Sequence, residues 1–289
     1  MITSNNGFTK VENISLSQEL AVLGISDTPF TSLLLSKGVK KALNTVHSWQ
    51  EKSFATDGET DAVEGADVTT FQQSTKRVLN NTLQIFLRAV SISGTANAMQ
   101  STKFSSEVAD RLYELKLKLE SVLINGIKDD GSVTGIRKMA GLIAQADSNN
   151  AIAHTGAVTE KLIKDAMKKL WDNKLQGGTY YAFVNSELKD QIDEIYKDKY
   201  SYQHVESKFG LLVDQIRTNF SDVQIVISRD VPDNQIVFFN DSYLSAIALR
   251  EAHFEVLGKN GDNQKGMIVG EYSLEVGTPK AVVVVTVTP

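Results

Sequence analysis

Residues 53 to 75 hold five acids, Asp57, Glu59, Asp61, Glu64 and Asp67, and no lysine or arginine. A stretch this polar cannot pack a core of its own. It is expected to project from the body as a long β-hairpin or a loop, and loops of that length in compact proteins serve a function or stay disordered. Strand-like segments flank it. Thr45 to Phe54 comes before, and Thr82 to Ser93 after, where Leu83, Ile85 and Leu87 alternate with Gln84, Phe86 and Arg88.

The remainder of the chain can build a core. Of 289 residues, 42% are apolar and 22% charged, which excludes global disorder and a collagen-like fibre and allows one large or two smaller domains. The periodicity is that of an α+β protein, with no repeat and no regular βα alternation. Residues 1 to 40 form a polar arm with one apolar cluster, Phe30 and Leu33 to Leu35, after the Thr28-Pro29 break. Val108, Leu112, Leu115, Leu119 and Val122 recur at spacings of four, three, four and three, predicting a helix over 105–125 with one apolar stripe. Ser105 or Ser106 is its expected cap, and Asn125-Gly126 its expected left-handed end.

A second amphipathic helix is predicted over 158–174, with Leu162, Ile163, Ala166, Met167, Leu170 and Trp171 on one face. Thr179 to Val184 reads as a strand. Asn185 or Ser186 then caps a third helix with Leu188, Ile192, Ile195 and Tyr196. Val223 to Ser228 and Gln235 to Phe239 are further strands about the Pro232-Asp233 turn. Met267 to Val276 and Ala281 to Val287 are expected to form a closing hairpin across Gly277-Thr278-Pro279.

Little in the chain points to chemistry. There is no cysteine, so disulfides, thiolate metal sites and cysteine nucleophiles are excluded. His47, His154, His204 and His253 are scattered, and none falls in a metal motif. Phosphate-binding glycine loops and a serine-nucleophile elbow are missing from the sequence. Asp57, Glu59 and Asp61 have the first spacings of a calcium loop, but Ala62 and Val68 replace its glycine and its bidentate glutamate. Asp129-Asp130 before Gly131 reads as a turn. A net charge of −5 does not suit a dedicated DNA reader. The longest apolar run, Ala281 to Val287, is far too short to span a bilayer, and the N-terminus lacks the pattern of a secretory signal.

The order of short segments is more telling. Trp49-Gln50 precedes the acidic stretch, which contains Glu64-Gly65-Ala66-Asp67. Arg77, Asn81-Thr82-Leu83-Gln84-Ile85-Phe86 and Val90-Ser91-Ile92-Ser93-Gly94-Thr95 come next. Later, Val205-Glu206-Ser207-Lys208-Phe209-Gly210 precedes Ser228-Arg229-Asp230-Val231-Pro232. Ala248-Leu249-Arg250, Gly258-Lys259-Asn260-Gly261-Asp262 and Glu271-Tyr272-Ser273-Leu274-Glu275 then follow in order. From Thr28 to Val287 this arrangement resembles the tailed-bacteriophage major capsid proteins with the Hong Kong 97-type fold.

The resemblance implies an N-terminal arm (1–43), an extended loop (44–93), a peripheral domain on a long spine helix (94–149), an axial domain (150–245) and a return to the peripheral domain (246–289). It implies a structural protein with no catalytic, cofactor or metal site. The chain's main partner would be itself, as pentamers and hexamers of an icosahedral shell around double-stranded DNA bound without sequence preference. A portal is expected. Met1 and the short arm suggest that no scaffolding domain is fused, so a separate scaffolding protein is expected as well. The protein would reside in the virion after assembly in the bacterial cytoplasm, without membrane contact.

Trp49, Phe54 and Phe71 are candidate interface anchors. Glu64 and Asp67 are expected to meet Arg77, Arg88 or Arg250 of an adjacent subunit. A shell of acidic subunits should not turn concentrated negative charge on its DNA, and Lys103, Arg111, Lys116 and Lys118 on the spine helix would lighten one of its faces. The competing readings are an encapsulin-like nanocompartment shell, a soluble α+β enzyme, and a tail or baseplate protein.

One branch of the resembled family joins its subunits through lysine–asparagine isopeptide bonds. Here Lys52 and Lys76 lie only at the base of the acidic stretch. Assembled particles boiled in denaturant should therefore run as a single monomer band, and a ladder of covalent oligomers would contradict non-covalent assembly.

Overall fold

The computed structural model describes residues 14–15, 20, 23–24, 27–53, 64–65, 67, 71, 74–99, 104–175, 177–196, 202–206, 212–259 and 261–288. The chain runs β1 (Ile14–Ser15), α1 (Pro29–Ser36), β2 (Val39–Lys41), β3 (Val46–Ser53), β4 (Thr75–Thr82), β5 (Gln84–Ser93), α2 (Gly94–Ala98) and α3 (Phe104–Asn125). It continues through β6 (Ile152–Thr155), α4 (Glu160–Asp172), β7 (Tyr180–Val184), α5 (Ser186–Tyr196), β8 (Tyr202–Glu206), β9 (Leu212–Arg217) and β10 (Asp222–Ile227). It closes with β11 (Gln235–Asn240), β12 (Leu244–Leu257), β13 (Asn263–Val276) and β14 (Val282–Thr288).

Among the described residues these strands make three sheets. One has five strands in the order β1-β12-β13-β5, with β2 also on β12; one has seven in the order β6-β14-β11-β7-β10-β9-β8; and β3 with β4 forms a separate ribbon. The 14-residue strands β12 and β13 pair antiparallel from Leu244↔Val276 to Leu257↔Lys265, with register shifts around Arg250. The other edge of β13 pairs with β5, from Asn263↔Ser93 to Tyr272↔Gln84.

Helix α3 lies on this sheet, burying Phe104, Val108, Leu112, Leu115, Leu119 and Leu123 against β5, β13 and α1. The predicted stripe is present, but both helix ends differ from expectation. Ser105 and Ser106 lie inside the first turn, because the helix already includes Phe104. Gly126 is not left-handed. It is required by close approach, since a Cβ there would sit 2.6 Å from the carbonyl oxygens of Met139 and Val122. Gly141 presses on the same spot, and its N–H donates to the Gly126 carbonyl at 2.8 Å.

The seven-stranded sheet is covered on both sides. Leu162, Ile163, Ala166, Met167 and Leu170 of α4, with Leu188 and Ile192 of α5, cover the face carrying Ala182, Val184, Ile225, Ile236, Phe238, Val283 and Val285. Tyr181, Phe183, Val237, Phe239, Val282 and Val284 on the other face join the α3 core. Phe30 of α1 enters that face edge-on, 5.7 Å from Phe183 and 5.5 Å from Phe239 between ring centroids.

The closing hairpin is not formed. β14 pairs antiparallel with β11 and parallel with β6, not with β13. The physical reason is that both edges of β13 are already taken by β12 and β5, while β14 is apolar on both faces and needs an interior place in a covered sheet. Residues 246–289 are thus divided between the two sheets. β10 and β11 are not neighbours either; both flank β7.

Leu119→Ala should destabilise the unassembled chain by about 2–5 kcal/mol, because it opens a cavity in a closed core. Leu43→Ala, at a residue 94% exposed, should change stability by no more than about 0.5 kcal/mol. Urea denaturation of the two variants checks both values.

Candidate functional site

The ribbon is the expected projection, but its second strand was misplaced in the sequence reading. β3 pairs with β4 from Val46↔Thr82 to Ser53↔Thr75, whereas the segment expected to pair with it is β5, which lies in the five-stranded sheet. Thr75 to Asn80 is mostly exposed and polar, so it carries no periodic apolar signal.

The root of the ribbon is held by polar contacts. Asn81 is fully buried; its Nδ2 donates to the carbonyls of Ala140 at 3.0 Å and Leu274 at 2.8 Å. Its Oδ1 accepts from the N–H of Ala140 at 2.8 Å and of Thr82 at 2.9 Å. One face of β3 lies along the end of β13. His47 Nε2 meets Glu275 Oε2 at 2.7 Å, Trp49 Nε1 donates to the Val276 carbonyl at 3.0 Å, and Thr278 donates to Glu51. Lys40 holds the other oxygen of Glu275 at 2.8 Å. Burial raises the Glu275 carboxyl, but the hydrogen bonds from Lys40 and His47 outweigh it and hold the group below its ordinary value.

Of the candidate anchors, Trp49 is half-buried against its own chain and stacks on His47 at 5.7 Å. Phe54 lies outside the described residues, as do Asp57, Glu59, Asp61 and the rest of the calcium-like spacing. Phe71 is 84% exposed, and Glu64 and Asp67 are exposed. Arg77 is exposed on β4, opposite Glu51 in register. Arg88 and Arg250 are exposed but have acids of their own chain: Glu114 at 3.6 Å and Glu271 at 3.4 Å.

Arg250 belongs to a feature that sequence reasoning missed. Register places Arg250, Glu271 and Ile85 in one cross-strand row, with Val269 and Leu87 in the next, on the sheet face opposite α3. Phe86, Val90 and Ile92 turn inward, while Ile85 and Leu87 remain 47% and 52% exposed. Arg137 reaches this row from the loop after α3, and its Nη2 lies 2.7 Å from Glu271 Oε1. Two guanidiniums thus share one buried carboxylate beside an exposed apolar pair. Alternation over 83–92 was visible in the sequence, but which face would be covered was not.

A cleft of about 520 Å³ lies between the ribbon root and the segment 144–149. Its lining includes Trp49, Arg77, Gln145 and Asp147, and Asp147 already caps a short turn by accepting from the Asn149 N–H at 2.9 Å. This arrangement brings no acid–base pair together. Among the described residues no cluster of His, Asp or Glu has the makings of a metal site, and no helix is long and apolar enough to cross a membrane.

The SU10 major capsid protein family model matches residues 3–289. The chain belongs to that family. It is a phage major capsid protein, a structural component of the virion. The major capsid protein of Escherichia phage Phieco32 is 22% identical over 334 residues, covering 93% of this chain and 92% of its own length. The capsid asymmetric unit of cyanophage A-1(L) has the same fold, with a TM-score of 0.66 and 13% identity over 99% of this chain and 95% of that one. The holo-SrpI encapsulin of Synechococcus elongatus PCC 7942 shares it too, with a TM-score of 0.59 and 13% identity over 87% and 86%. The fold is therefore the Hong Kong 97-type α+β fold expected from the sequence, and membership of the SU10 major capsid protein family favours the phage reading over the nanocompartment reading.

Asn81→Ala should cost about 1–3 kcal/mol for the Ala140 N–H left unpaired. It should also speed amide exchange at Thr82 and Leu83, which hydrogen-exchange mass spectrometry of the unassembled chain would detect.

Proposed function

We propose that copies of this chain build the icosahedral head of a tailed phage, as pentamers and hexamers around double-stranded DNA, through non-covalent contacts of the ribbon and the N-terminal arm. In this reading the ribbon is the extended loop. The five-stranded sheet with α3 is the peripheral domain, and the seven-stranded sheet with α4 and α5 is the axial domain. The observation that carries the reading is a pair of unmatched surfaces on one chain. The ribbon tip exposes Phe71, Glu64 and Asp67, and the outer sheet face exposes Ile85 and Leu87 beside Arg137 and Arg250. A tip from a second copy laid on that face pairs aromatic with aliphatic surface and carboxylate with guanidinium.

Charge supports the same arrangement. Subunits of net charge −5 repel one another overall, so their contacts need local complementarity. Each contact is modest, and the closed shell gains its stability because every subunit is engaged several times. Glu271 already draws on both Arg137 and Arg250, so a tip carboxylate joins a shared network and does not meet a bare cation. Arg88 is the less suitable partner, because Glu114 and Arg111 form a local network beside it.

The chain has no enzymatic role in this reading. A portal and a separate scaffolding protein are partners by analogy with the family, assembly takes place in the host cytoplasm, and DNA contact is sequence-independent and weakened by salt.

Negative-stain microscopy of the purified protein should show closed shells. Small shells with a co-purified cargo protein would favour a nanocompartment, and dispersed monomers would end the shell reading. The double charge reversal Glu64→Lys with Asp67→Lys should lower particle yield and shell melting temperature. If both were unchanged, the tip acids would have no part in the contact.

A further inference from the structure

Inside the apolar stripe of α3 lies a row of polar residues. Tyr113, Lys116 and Glu120, spaced by three and four, share one helix face, and Lys116 and Glu120 are completely buried. All three grip the segment that ends in α1. Tyr113 Oη donates to Asp27 Oδ2 at 2.6 Å. Lys116 Nζ donates to the Leu23 carbonyl and, at 2.9 Å, to Ser32 Oγ. Glu120 accepts from the N–H of Phe30 at 3.0 Å and of Thr31 at 2.6 Å.

The last contact replaces a local cap. Thr28 stands at the N-cap of α1 but makes no side-chain bond to the helix, since its Oγ1 donates to the Gly24 carbonyl at 2.9 Å. A carboxylate from 90 residues away therefore satisfies the two free N–H groups at the start of α1. It is a costly way to fasten a helix, because a well-packed apolar pair would hold as well without removing two ionisable groups from water. Such a fastening makes docking depend on protons.

We propose that Glu120 and Lys116 form a proton-operated latch that fastens Leu23 and the start of α1 onto α3 and holds them least firmly near neutral pH. Burial pushes the Glu120 carboxyl up to about 7, against the hydrogen bonds from Thr31 and Phe30, with a smaller push from the charge of Asp230. Burial lowers Lys116 to about 8, opposed by Glu120. Among the described residues, the charged or titratable groups around the pair include Asp27 on the docked segment, Arg229 and Asp230 after β10, and Tyr113 and Lys118 on α3. Arg88, Glu107, Arg111 and Glu114 lie on the β5 side of the helix.

The direction follows from which state holds the proton. With the segment lifted away, both groups regain water, so Glu120 moves down towards its ordinary value of 4.5 and Lys116 up towards 10.5. The docked state thus binds the Glu120 proton more tightly, and docking weakens as pH rises from 4.5 to 7. It binds the Lys116 proton less tightly, so docking weakens as pH falls from 10.5 to 8. The weakest grip lies between these windows. The latch rests on contacts within one chain and holds whether or not the subunit contacts proposed above are correct.

Hydrogen exchange of the amides of Phe30 to Ser36, measured on the unassembled chain and corrected for the intrinsic pH dependence of exchange, tests the latch. The opening constant should rise between pH 5 and 7 by up to about tenfold per unit and fall again above pH 8.5. Glu120→Gln should abolish the rise, and Lys116→Met the later fall. An opening constant that stays flat from pH 5 to 7.5 in the unaltered protein would overturn the proposal, and so would a slope that survives in Glu120→Gln. If a variant fails to fold, the profile of the unaltered chain still decides.

Discussion

A two-stranded ribbon has no interior. Away from its root, each residue of β3 and β4 has one strand neighbour and no second layer, and isolated hairpins of this kind are marginal in water. What fixes the ribbon to the body is therefore a set of directional polar contacts at its root. Asn81 is tied to Ala140, Leu274 and Thr82, and alternate residues of β3, His47, Trp49 and Glu51, engage Glu275, Val276 and Thr278 in succession. Hydrogen bonds fix an angle more sharply than apolar packing does. The chain thereby presents a defined direction at the root and leaves the tip to find its surface elsewhere.

The long helix combines two kinds of contact. Its apolar stripe, from Phe104 to Leu123, joins it to the five-stranded sheet by non-directional burial. Its polar row, Tyr113, Lys116 and Glu120, holds a separate segment of chain by directional bonds. Phe30 links α3 to the seven-stranded sheet within one core, since α1 is capped by α3 at one end while the Phe30 ring lies among Phe183 and Phe239. A displacement of α1 would therefore be felt both at the long helix and at the seven-stranded sheet.

Much of this was legible in the sequence, and the failures have definite causes. Helices α3, α4 and α5 announce themselves by apolar spacing, and the acidic stretch reveals that it cannot cover itself. Partnership was not legible. Nothing local in Ala281 to Val287 tells whether its neighbour is β13 or β11, because an all-apolar strand fits any covered sheet. Strand β4 is polar on both sides and carries no period.

At the candidate site, the ribbon residues were found because they sit in a compositional anomaly. Arg137 and Glu271 were not, because their pairing spans 134 residues. Lys116 was expected, with Lys103, Arg111 and Lys118, to lighten one face of its helix; Lys103 lies outside the described residues. Lys116 is instead fully buried, since the carbonyl of Leu23 and the hydroxyl of Ser32 give its ammonium partners that no helical period reveals.

The place of β14 sets an order on biosynthesis. β14 leaves the ribosome after both of its neighbours and fills an interior slot between β6 and β11, and neither of these can complete its pairing beforehand. Until then Ile236 and Val237 lie on an open edge, and the non-local pairing that covers them, with Val285 and Val284, has to wait for it. A growing subunit therefore carries an open, apolar β-edge from the synthesis of β11 until β14 emerges, an interval in which it can mispair with another copy before it becomes a building block.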